Sequence, residues 1–579
     1  MGISSSAPWL RYYDTTPAYL DYPKKTVYEM VRATADKYPK NVAYEFMGKK
    51  TTFAEFMERI DRTAKAYLAM GIGRGDRVTI CMPNCPQALD SFYALNRIGA
   101  VSNMIHPLSA ASEIKFYLDF SRSKAILTLD QFYGKVAGIL PELENKDTVL
   151  LIARIVDELP PVLAVGFALT KGRKIPPLPK KGKYMTWNKF MQAGRRRDLP
   201  LPKELGRFTD CASILYSGGT TGTTKGIMLS NLNFNACGLQ TIAASGFAPI
   251  NGMKMLSVMP VFHGFGLGIG IHTALIGGAT CILVPQFNVK TYAELLIKKQ
   301  PNIIPGVPTL FEALLRAENL ENADLSCLKG VFCGGDSLSV ELKKKVDAFL
   351  KAHNATVQIR QGYGLTECVT ASCLTPKDYN RVGSIGVPFP DTYYKIVKVG
   401  TTEEVDADIE GEICISGPSV MMCYMDNPEE TEHTLRRHAD GRVWMHSGDL
   451  GKMDEDGFIY FSQRIKRMIV TSGYNVYPGQ LENVIDGHEK VLLSCVIGVK
   501  DPYKIQKVKA FVVLKPDYEP SDAIREEILE YCREHIAKYA MPYDIEFRTE
   551  LPKTLVGKVA YRVLEEEENE RQAAAQGQI

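Results

Sequence analysis

Apolar residues recur along this chain with two periods, which predict helices alternating with short strands. One helical period places six apolar side chains on a single face before Gly71 ends the segment, namely Phe53, Phe56, Met57, Ile60, Ala64 and Leu68. Short runs of apolar and β-branched residues predict strands at 77–81, 212–216 and 280–284, and Pro86 predicts the start of a helix to about residue 98. This alternation is typical of an α/β fold of layered helices and sheets.

The stretch from Met255 to Val289 contains no Asp, Glu, Lys or Arg. It is long enough to span a bilayer. It also contains Pro260, Pro285 and His263, which disfavour a membrane helix. We interpret it as a buried strand, helix and strand, and we expect no transmembrane segment.

The pattern changes near residue 457. Strands are predicted at 495–499 and 510–514, a charged helix at about 522–538, and then an acidic helical tail. A chain of 579 residues is too long for one hydrophobic core. The last 110 or so residues therefore predict a second, compact α+β domain.

Composition and charge narrow the functional classes. The 69 basic and 66 acidic residues leave a net charge of +3, which argues against a nucleic-acid binder. The 13 cysteines form no Cys-x-x-Cys pair and predict neither a zinc site nor a disulfide framework, so a reducing cytoplasm is expected. The Lys- and Pro-rich stretch 170–183 predicts a surface loop.

The segment 216–226 combines glycines, hydroxyl side chains and one lysine. Glycines allow several backbone N–H groups to converge, and the hydroxyls and ammonium add donors, which suits a polyphosphate. The segment is not a Walker A loop, because Thr224 precedes Lys225 and a strand is predicted at 226–229. A nucleotide site is predicted, but not that of an ordinary P-loop ATPase.

Further motifs follow in order at 362–367 (GYGLTE), 446–450 (HSGDL) and 552–558 (PKTLVGK). With the loop at 216–226, they make the chain resemble the adenylate-forming superfamily of acyl- and aryl-CoA synthetases, amino-acid adenylation domains and firefly luciferase. The resemblance extends from about residue 51 to 564. It implies a large N-terminal domain of layered α/β subdomains with a small β-barrel-like subdomain, and a small mobile C-terminal α+β domain.

The resemblance assigns the nucleotide contacts. It implies an ATP phosphate loop of Ser217, Gly218, Gly219, Thr220, Thr221, Gly222, Thr223, Thr224 and Lys225. The 362–367 motif adds Gly362, Tyr363 on adenine, Gly364, Leu365, Thr366 at the α-phosphate and Glu367, which with Thr221 holds Mg²⁺. A tyrosine face can cover a purine, and a carboxylate is a hard ligand suited to Mg²⁺.

Two further regions complete the implied nucleotide site. Asp449 and Arg464 would contact the ribose. Gly334 and Gly335 would let the backbone approach adenine and the acyl group. The run 334–338 also resembles a phosphopantetheine attachment site at Ser337, but its place inside the large domain favours the glycine interpretation.

The C-terminal motif implies that Lys558 is the catalytic lysine, whose ammonium offsets negative charge in the transition state. Lys466 occupies the family's hinge position, and Ser472, Gly473 and Tyr474 would face the CoA channel after rotation. The domains are then 1–463, a hinge at 464–466, and 467–579. The hinge departs from the family pattern at Gln463 and Arg467.

The sequence defines the carboxylic acid substrate less closely than it defines the nucleotide. Amino-acid-activating relatives carry an Asp where this chain has Phe262-His263, so an amino acid is disfavoured. His263, Gly264, Phe265 and Gly335 are the expected acyl-side residues. The alternation of glycine with apolar residues at 264–270 fits either an apolar groove or a tightly packed helix. The basic stretch 170–183 resembles one in long-chain fatty acyl ligases, which favours medium- or long-chain fatty acids.

The predicted function is therefore an ATP-, Mg²⁺- and CoA-dependent carboxylic acid ligase that forms an acyl-AMP and then an acyl-CoA. The alternatives are an aryl-CoA ligase, an acyl-AMP ligase that loads a separate carrier protein, and a catalytically degenerate acyl- or nucleotide-binding homologue. The expected partners are these small molecules. Peripheral membrane association and a homodimer are left open.

Overall fold

The structure is a computed structural model that describes residues 3–197, 199–204, 206–217, 224–471, 474–501, 503–554 and 559–575. These residues have the mixed α/β fold that the alternating pattern predicts. A π-helix also occurs, at Phe265–Thr273.

The α-helices are α1 (Ile3–Ser6), α2 (Val27–Lys37), α3 (Phe53–Ala69), α4 (Pro86–Arg97), α5 (Ala111–Ser121), α6 (Tyr133–Ile139), α7 (Pro161–Leu169), α8 (Trp187–Arg197), α9 (Asn231–Ala244), α10 (Ala274–Ile276), α11 (Val289–Lys299), α12 (Pro308–Leu315), α13 (Val340–Ala352), α14 (Pro428–Thr434), α15 (Pro478–Asp486), α16 (Asp522–His535) and α17 (Tyr561–Ala575).

The strands are β1 (Val42–Phe46), β2 (Lys49–Thr52), β3 (Arg77–Cys81), β4 (Val101–Met104), β5 (Ala125–Leu129), β6 (Val149–Ala153), β7 (Met185–Thr186), β8 (Cys211–Ser217), β9 (Lys225–Ser230), β10 (Lys254–Ser257), β11 (Thr280–Leu283), β12 (Ile303–Gly306), β13 (Gly330–Cys333), β14 (Ile359–Tyr363), β15 (Cys373–Leu374), β16 (Val387–Pro388), β17 (Tyr393–Val397), β18 (Gly411–Ser416), β19 (Cys423–Tyr424), β20 (Leu435–Arg437), β21 (Val443–Met453), β22 (Ile459–Arg464), β23 (Ile469–Thr471), β24 (Tyr474–Val476), β25 (Val491–Asp501), β26 (Ile505–Leu514) and β27 (Asp544–Phe547).

Two large sheets with parallel centres form most of the N-terminal part. The first sheet has the order β16-β15-β14-β13-β12-β10-β11-β1-β2, and the second has the order β19-β9-β8-β4-β3-β5-β6-β7. In both, the antiparallel pairings lie toward the ends of the sheet. The largest hydrophobic core contains side chains from both sheets and from α2, α3 and α4, so the two sheets share one interior.

Helix α3 forms where the apolar pattern predicts it, and its ends show why. Thr52 caps it by accepting the Glu55 N–H at 3.3 Å, while the Glu55 carboxylate accepts the Thr52 N–H at 2.7 Å. The predicted face is buried from Phe53 to Ala64. The chain then leaves the helix through Gly71 at φ +80°, a backbone conformation that favours glycine.

Two smaller sheets complete the fold. The third is antiparallel, with the order β17-β18-β21-β20 and β22 paired to β21, where the barrel-like subdomain is expected. The fourth has the order β24-β23-β26-β25, with β27 parallel to β26. Two hydrophobic clusters draw only on residues between 469 and 564, so the C-terminal part has a core of its own.

The uncharged stretch folds as interpreted. It contains β10, the π-helix with α10, and β11, and β10 lies beside β11 in the first sheet. Among the described residues, no helix is both long and apolar enough to cross a membrane. Some boundaries differ from the prediction. Strands β25 and β26 are longer than the predicted 495–499 and 510–514, and α16 ends at His535, because Ile536 is extended at φ −120° and ψ 136°.

Candidate active site

The site begins where strands of the first sheet end. Parallel strands β12, β13 and β14 are neighbours, and the chain leaves β13 at Gly334. The Gly334 N–H donates to the Gly306 carbonyl at 3.1 Å, and a Cβ on Gly334 would lie 3.2 Å from the Gly362 carbonyl. Gly335 has φ +82°, and Ser337, two residues later, is exposed. The backbone is thus closely packed at the carboxyl ends of these parallel strands. This is the position where α/β sheets commonly bind ligands.

A buried carboxylate lies beside the end of β14. The Tyr363 hydroxyl donates to Asp449 Oδ2 at 2.7 Å. Asp449 is 2% exposed, and its Oδ1 lies 3.4 Å from Nε of Arg464, its register partner on β22. The Asp449 charge raises the Arg464 pKa. The structure therefore brings three predicted nucleoside contacts together: an aromatic ring, an acceptor for hydroxyls and a cation.

The segment of β21 just before Asp449 is held by a residue that the motifs did not indicate. Glu412 accepts the Gly448 N–H at 3.0 Å, and its other oxygen lies 2.8 Å from Nδ1 of His446. Burial acts to raise the pKa of Glu412, but the hydrogen bond with His446 lowers it below the ordinary value. Since Gly448 has φ +70° where the pairing of β21 with β18 is irregular, this position suits glycine. His446 therefore orients the motif through Glu412.

Tyr424 lies between Glu367, the predicted metal ligand, and Lys225 of the predicted phosphate loop. Its hydroxyl donates to Glu367 Oε1 at 2.9 Å, and Nζ of Lys225 lies 4.7 Å from its ring centroid. Lys225 also forms an ion pair with Glu430. Burial raises the pKa of Tyr424, so its hydroxyl stays a donor. Neither Tyr424 nor Glu430 was predicted, because the one local signal, Pro428, indicates only a helix start.

The described ends of the predicted phosphate loop lie side by side. Strands β8 and β9 are antiparallel, with Ser217 opposite Lys225, and Thr224 directly precedes β9. Ser217 and Thr224 are half-buried. The loop residues between them lie outside the described residues: Gly218, Gly219, Thr220, Thr221, Gly222 and Thr223.

The donor chemistry fits Mg²⁺ at Glu367, since a carboxylate is a hard oxygen ligand, while Thr221 is not described. A separate buried group, Cys414, His438 and His446, brings its ligand atoms within 4.8 Å of one another. Sulfur and imidazole favour softer metals than Mg²⁺. The Nε2 atoms of the two histidines lie 3.0 Å apart, so a hydrogen bond already accounts for their proximity.

The acyl-side segment is packed too tightly for an open groove along its glycines. A Cβ on Gly264 would lie 1.6 Å from the Val369 carbonyl, and one on Gly268 would lie 2.8 Å from Cγ1 of Val369. A Cβ on Gly266 would lie 2.0 Å from the Pro260 carbonyl. Of the two interpretations of this run, the tightly packed helix is therefore confirmed, and the packing places it against the turn that follows Glu367.

Two predicted acyl-side residues lie at the start of this π-helix. His263 is half-buried, and its Nδ1 accepts the Phe265 N–H at 3.2 Å. Phe265 is buried, and a Cβ on Gly334 would lie 4.0 Å from its ring. The Phe265 ring therefore lies between the acyl segment and the glycine edge predicted to face adenine.

A buried histidine that the motifs did not indicate lies deeper in the same helix. Nε2 of His272 lies 2.9 Å from Oδ1 of Asn235, and its Nδ1 lies 3.2 Å from the Tyr93 hydroxyl. Burial lowers the pKa of His272 to about 3. The imidazole is therefore neutral, bonding one neighbour through each nitrogen.

The contacts of Arg467 explain why this chain departs from the family pattern beside the predicted hinge. A short 3₁₀ turn, Ile465–Arg467, follows Arg464, so the backbone of Lys466 lies in this turn. The Arg467 guanidinium pairs with Glu482 and lies 4.8 Å from the Tyr561 ring. Arg467 thus packs, directly after the predicted hinge, onto Glu482 and Tyr561 of the C-terminal part, and an aspartate could not form this ion pair.

The remaining predicted residues are only partly described. Lys558, Ser472 and Gly473 lie outside the described residues, and Tyr474 begins β24. The described chain resumes after Lys558 and reaches Tyr561, whose ring lies against Arg467, the residue after the predicted hinge. Thr366 begins a 3₁₀ turn that includes Glu367, while a Cβ on Gly364 would lie 1.7 Å from the Thr370 carbonyl.

Comparison with known proteins gives full-length similarities. A long-chain-fatty-acid–CoA ligase of Bacillus subtilis (strain 168) is 35% identical over 575 residues, covering 98% of this chain and 99% of the relative. A long-chain-fatty-acid–CoA ligase of Yersinia pestis is 32% identical over 573 residues, covering 97% and 98%.

Solved structures agree in fold. An ATP-bound RpMatB-BxBclM chimera matches with a TM-score of 0.80 and 26% identity, covering 94% of this chain and 99% of the chimera. ATP-bound MatB from Rhodopseudomonas palustris matches with a TM-score of 0.79 and 24% identity, covering 94% and 99%.

The AMP-binding enzyme family matches residues 31–425, and the AMP-binding enzyme C-terminal domain matches residues 480–558. The first match alone spans more than half of the 579 residues. The chain therefore belongs to the AMP-binding enzyme family.

Proposed function

We propose that this protein is an AMP-forming acyl-CoA synthetase that uses ATP, Mg²⁺ and CoA to activate long-chain fatty acids. The observation that carries the proposal is the buried Asp449, bonded to Tyr363 and beside Arg464. This group supplies a ring for a base and a carboxylate for ribose hydroxyls. The full-length likeness to proteins named long-chain-fatty-acid–CoA ligases supports the choice of acid.

In the first step, a carboxylate oxygen of the acid forms a bond to the α-phosphorus of ATP. The bond between the α-phosphorus and the bridging oxygen breaks, and pyrophosphate leaves with the electron pair. Tyr363 and Asp449 hold the nucleoside, while Lys225 and the loop 217–224 hold the phosphates. Lys558 offsets charge at the reacting phosphate. Glu367 and Thr221 would hold Mg²⁺, which would neutralise phosphate charge when bound.

In the second step, the CoA sulfur forms a bond to the acyl carbon, AMP leaves with the electrons of the broken C–O bond, and the thiol proton passes to solvent. We propose that residues 1–463 and 467–579 are the two domains and that 464–466 are the hinge. The separate C-terminal core supports this division. Rotation at Lys466 would bring Ser472, Gly473 and Tyr474 to the thiol channel.

The test is pyrophosphate exchange into ATP with palmitate, benzoate or malonate, followed by detection of acyl-CoA after CoA is added. We expect exchange and thioester with palmitate. The Lys558→Ala variant should lose exchange by about a hundredfold or more. Lys553→Ala is the matched control, since Lys553 is exposed in the same motif. Exchange with benzoate or malonate but not palmitate would refute the fatty-acid assignment, and no exchange with any acid would refute the ligase.

We place the protein in the cytoplasm. All 13 cysteines lie within the described residues and are free thiols, as a reducing compartment allows. Secretion of the native protein with oxidised cysteines would contradict this assignment.

A further inference from the structure

Helix α7 exposes apolar side chains to solvent. It has nine residues, Pro161–Leu169, none of them polar. Val162 is 84% exposed, Val165 is 61% exposed and Leu169 is 56% exposed. These three residues follow an i, i+3, i+7 spacing and therefore form one outward stripe.

The opposite side of the same helix attaches it to the protein. Ala164 and Phe167 are half-buried and pack against the largest core. The helix is therefore a fixed surface element whose outward face is apolar. A contiguous exposed apolar face of this kind marks an interaction site more often than a scattered surface residue does.

The chain around this face is strongly basic. Residues 159–197 contain no Asp or Glu and carry ten positive side chains: Lys171, Arg173, Lys174, Lys180, Lys181, Lys183, Lys189, Arg195, Arg196 and Arg197. The first six are exposed, and within the described part of the chain they form no salt bridge. The acids just before α7 are already engaged, since Asp157 pairs with Arg154 and Glu158 with Arg59.

This surface lies away from the nucleotide site. Helix α7 and the basic segment connect β6 to β7, and β7 is an edge strand of the second sheet. Strands β5, β3 and β4 separate β6 from β8, which leads into the phosphate loop. At about 4.8 Å per strand, β6 and β8 are roughly 19 Å apart. Changes on α7 therefore leave the nucleotide contacts in place.

We propose that α7 and the basic segment 171–183 form a docking surface for an anionic lipid bilayer. A nine-residue helix is about 14 Å long and cannot span a bilayer. It can lie in the interface with its apolar stripe among the acyl chains, while Lys and Arg meet anionic headgroups. This surface goes beyond the ligase reaction and does not depend on which acid is used.

A second copy of the chain is the weaker occupant. Two α7 faces packed together would also bring two sets of six unpaired positive side chains close to each other, and like charges repel. An anionic bilayer can bind both the apolar stripe of α7 and the basic segment, because its acyl chains lie directly beneath negatively charged headgroups.

The experiment is co-sedimentation of the full chain with vesicles of phosphatidylcholine, with or without about 30% phosphatidylglycerol. We expect binding to the anionic vesicles, weakened by high salt. V162Q/V165Q/L169Q should weaken it at least about tenfold, since glutamine keeps helix propensity. Its control, V382Q/V399Q/I409Q, removes three other exposed apolar side chains and should bind like wild type.

The charge is tested separately. K180Q/K181Q/K183Q should weaken binding at least about tenfold and reduce its salt dependence. The control K50Q/K290Q/K351Q removes three exposed lysines elsewhere and should change binding little. Every variant should keep wild-type pyrophosphate exchange with detergent-dispersed acid, which shows that it is folded.

Three results would overturn the proposal. The first is wild-type protein that stays unbound with anionic vesicles, and the second is an α7 variant that binds as its control does. The third is a change of sedimentation coefficient in the α7 variant without vesicle binding by wild type, which would make this face a contact between copies.

Discussion

The proposed nucleotide side and the proposed acyl side of the site are held in different ways. On the nucleotide side, long polar side chains meet: Tyr363 bonds Asp449, Arg464 lies beside it, and Glu412 accepts the N–H of the preceding Gly448. On the acyl side, the π-helix is held by glycines that let Val369 and Pro260 approach its backbone. One half of the site therefore depends on charge and hydrogen bonds, and the other half depends on the absence of side chains.

The largest effect should come from filling the glycine contact. Gly264→Ala places a Cβ 1.6 Å from the Val369 carbonyl, so backbone must move, and we expect a loss of about 3 kcal/mol or more in the free energy of unfolding. Urea denaturation measures it. Gly270→Ala is the control in the same helix, since its nearest neighbour atom would be 3.8 Å away. Equal stabilities of the two variants would refute the close-packing account.

On the nucleotide side, Asp449→Asn should change binding more than folding. It removes the charge beside Arg464 and weakens the ribose contact, so we expect the Kd for ATP to rise by about tenfold to a hundredfold. Calorimetric titration measures the Kd. Asp408→Asn, which breaks an exposed ion pair with Lys452 in the same sheet, should leave it unchanged. An unchanged Kd in Asp449→Asn would contradict the nucleoside site.

The buried histidine on the acyl side predicts a pH effect on stability. Because burial lowers the His272 pKa to about 3, the unfolded chain binds a proton below about pH 6.5 that the folded chain does not. His272 should therefore lower the free energy of unfolding by about 2 kcal/mol as pH falls from 7 to 5.

Urea unfolding at these two pH values tests the effect. His272→Gln should lose less stability over this interval than wild type, while the exposed His433→Gln should lose as much as wild type. If His272→Gln and wild type respond equally to acid, His272 is not kept neutral by burial.

The smallest effect should separate the two roles of Tyr424. Tyr424→Phe keeps the ring beside Lys225 but removes the hydrogen bond to Glu367. We expect the Mg²⁺ concentration for half-maximal pyrophosphate exchange to rise by about tenfold, because residues that orient a metal ligand tune its affinity. Tyr379→Phe changes an exposed tyrosine and serves as control. If the Mg²⁺ dependence of Tyr424→Phe equals that of wild type, Tyr424 does not orient Glu367 as a metal ligand.

The two halves of the site also differed in how far they could be predicted. Tyr363, Asp449 and Arg464 could be named because each stands in an ordered motif with suitable chemistry, and the structure brings them together. Glu412 and Tyr424 could not, since pairing of their strands with distant strands brings them to the site. Lys558, Ser472 and Gly473 remain predictions, because they lie outside the described residues.

The sequence alone determined the α/β class, the buried uncharged segment and the motif residues, because periodicity and local chemistry are properties of neighbouring positions. Only the tertiary structure decided that the glycines at 264–268 are close-packed, that Arg467 pairs with Glu482, and that α7 exposes its apolar stripe. Each of these depends on which distant backbone or side chain lies opposite. An apolar helix reads the same in sequence whether its outer face is covered by protein or left to solvent.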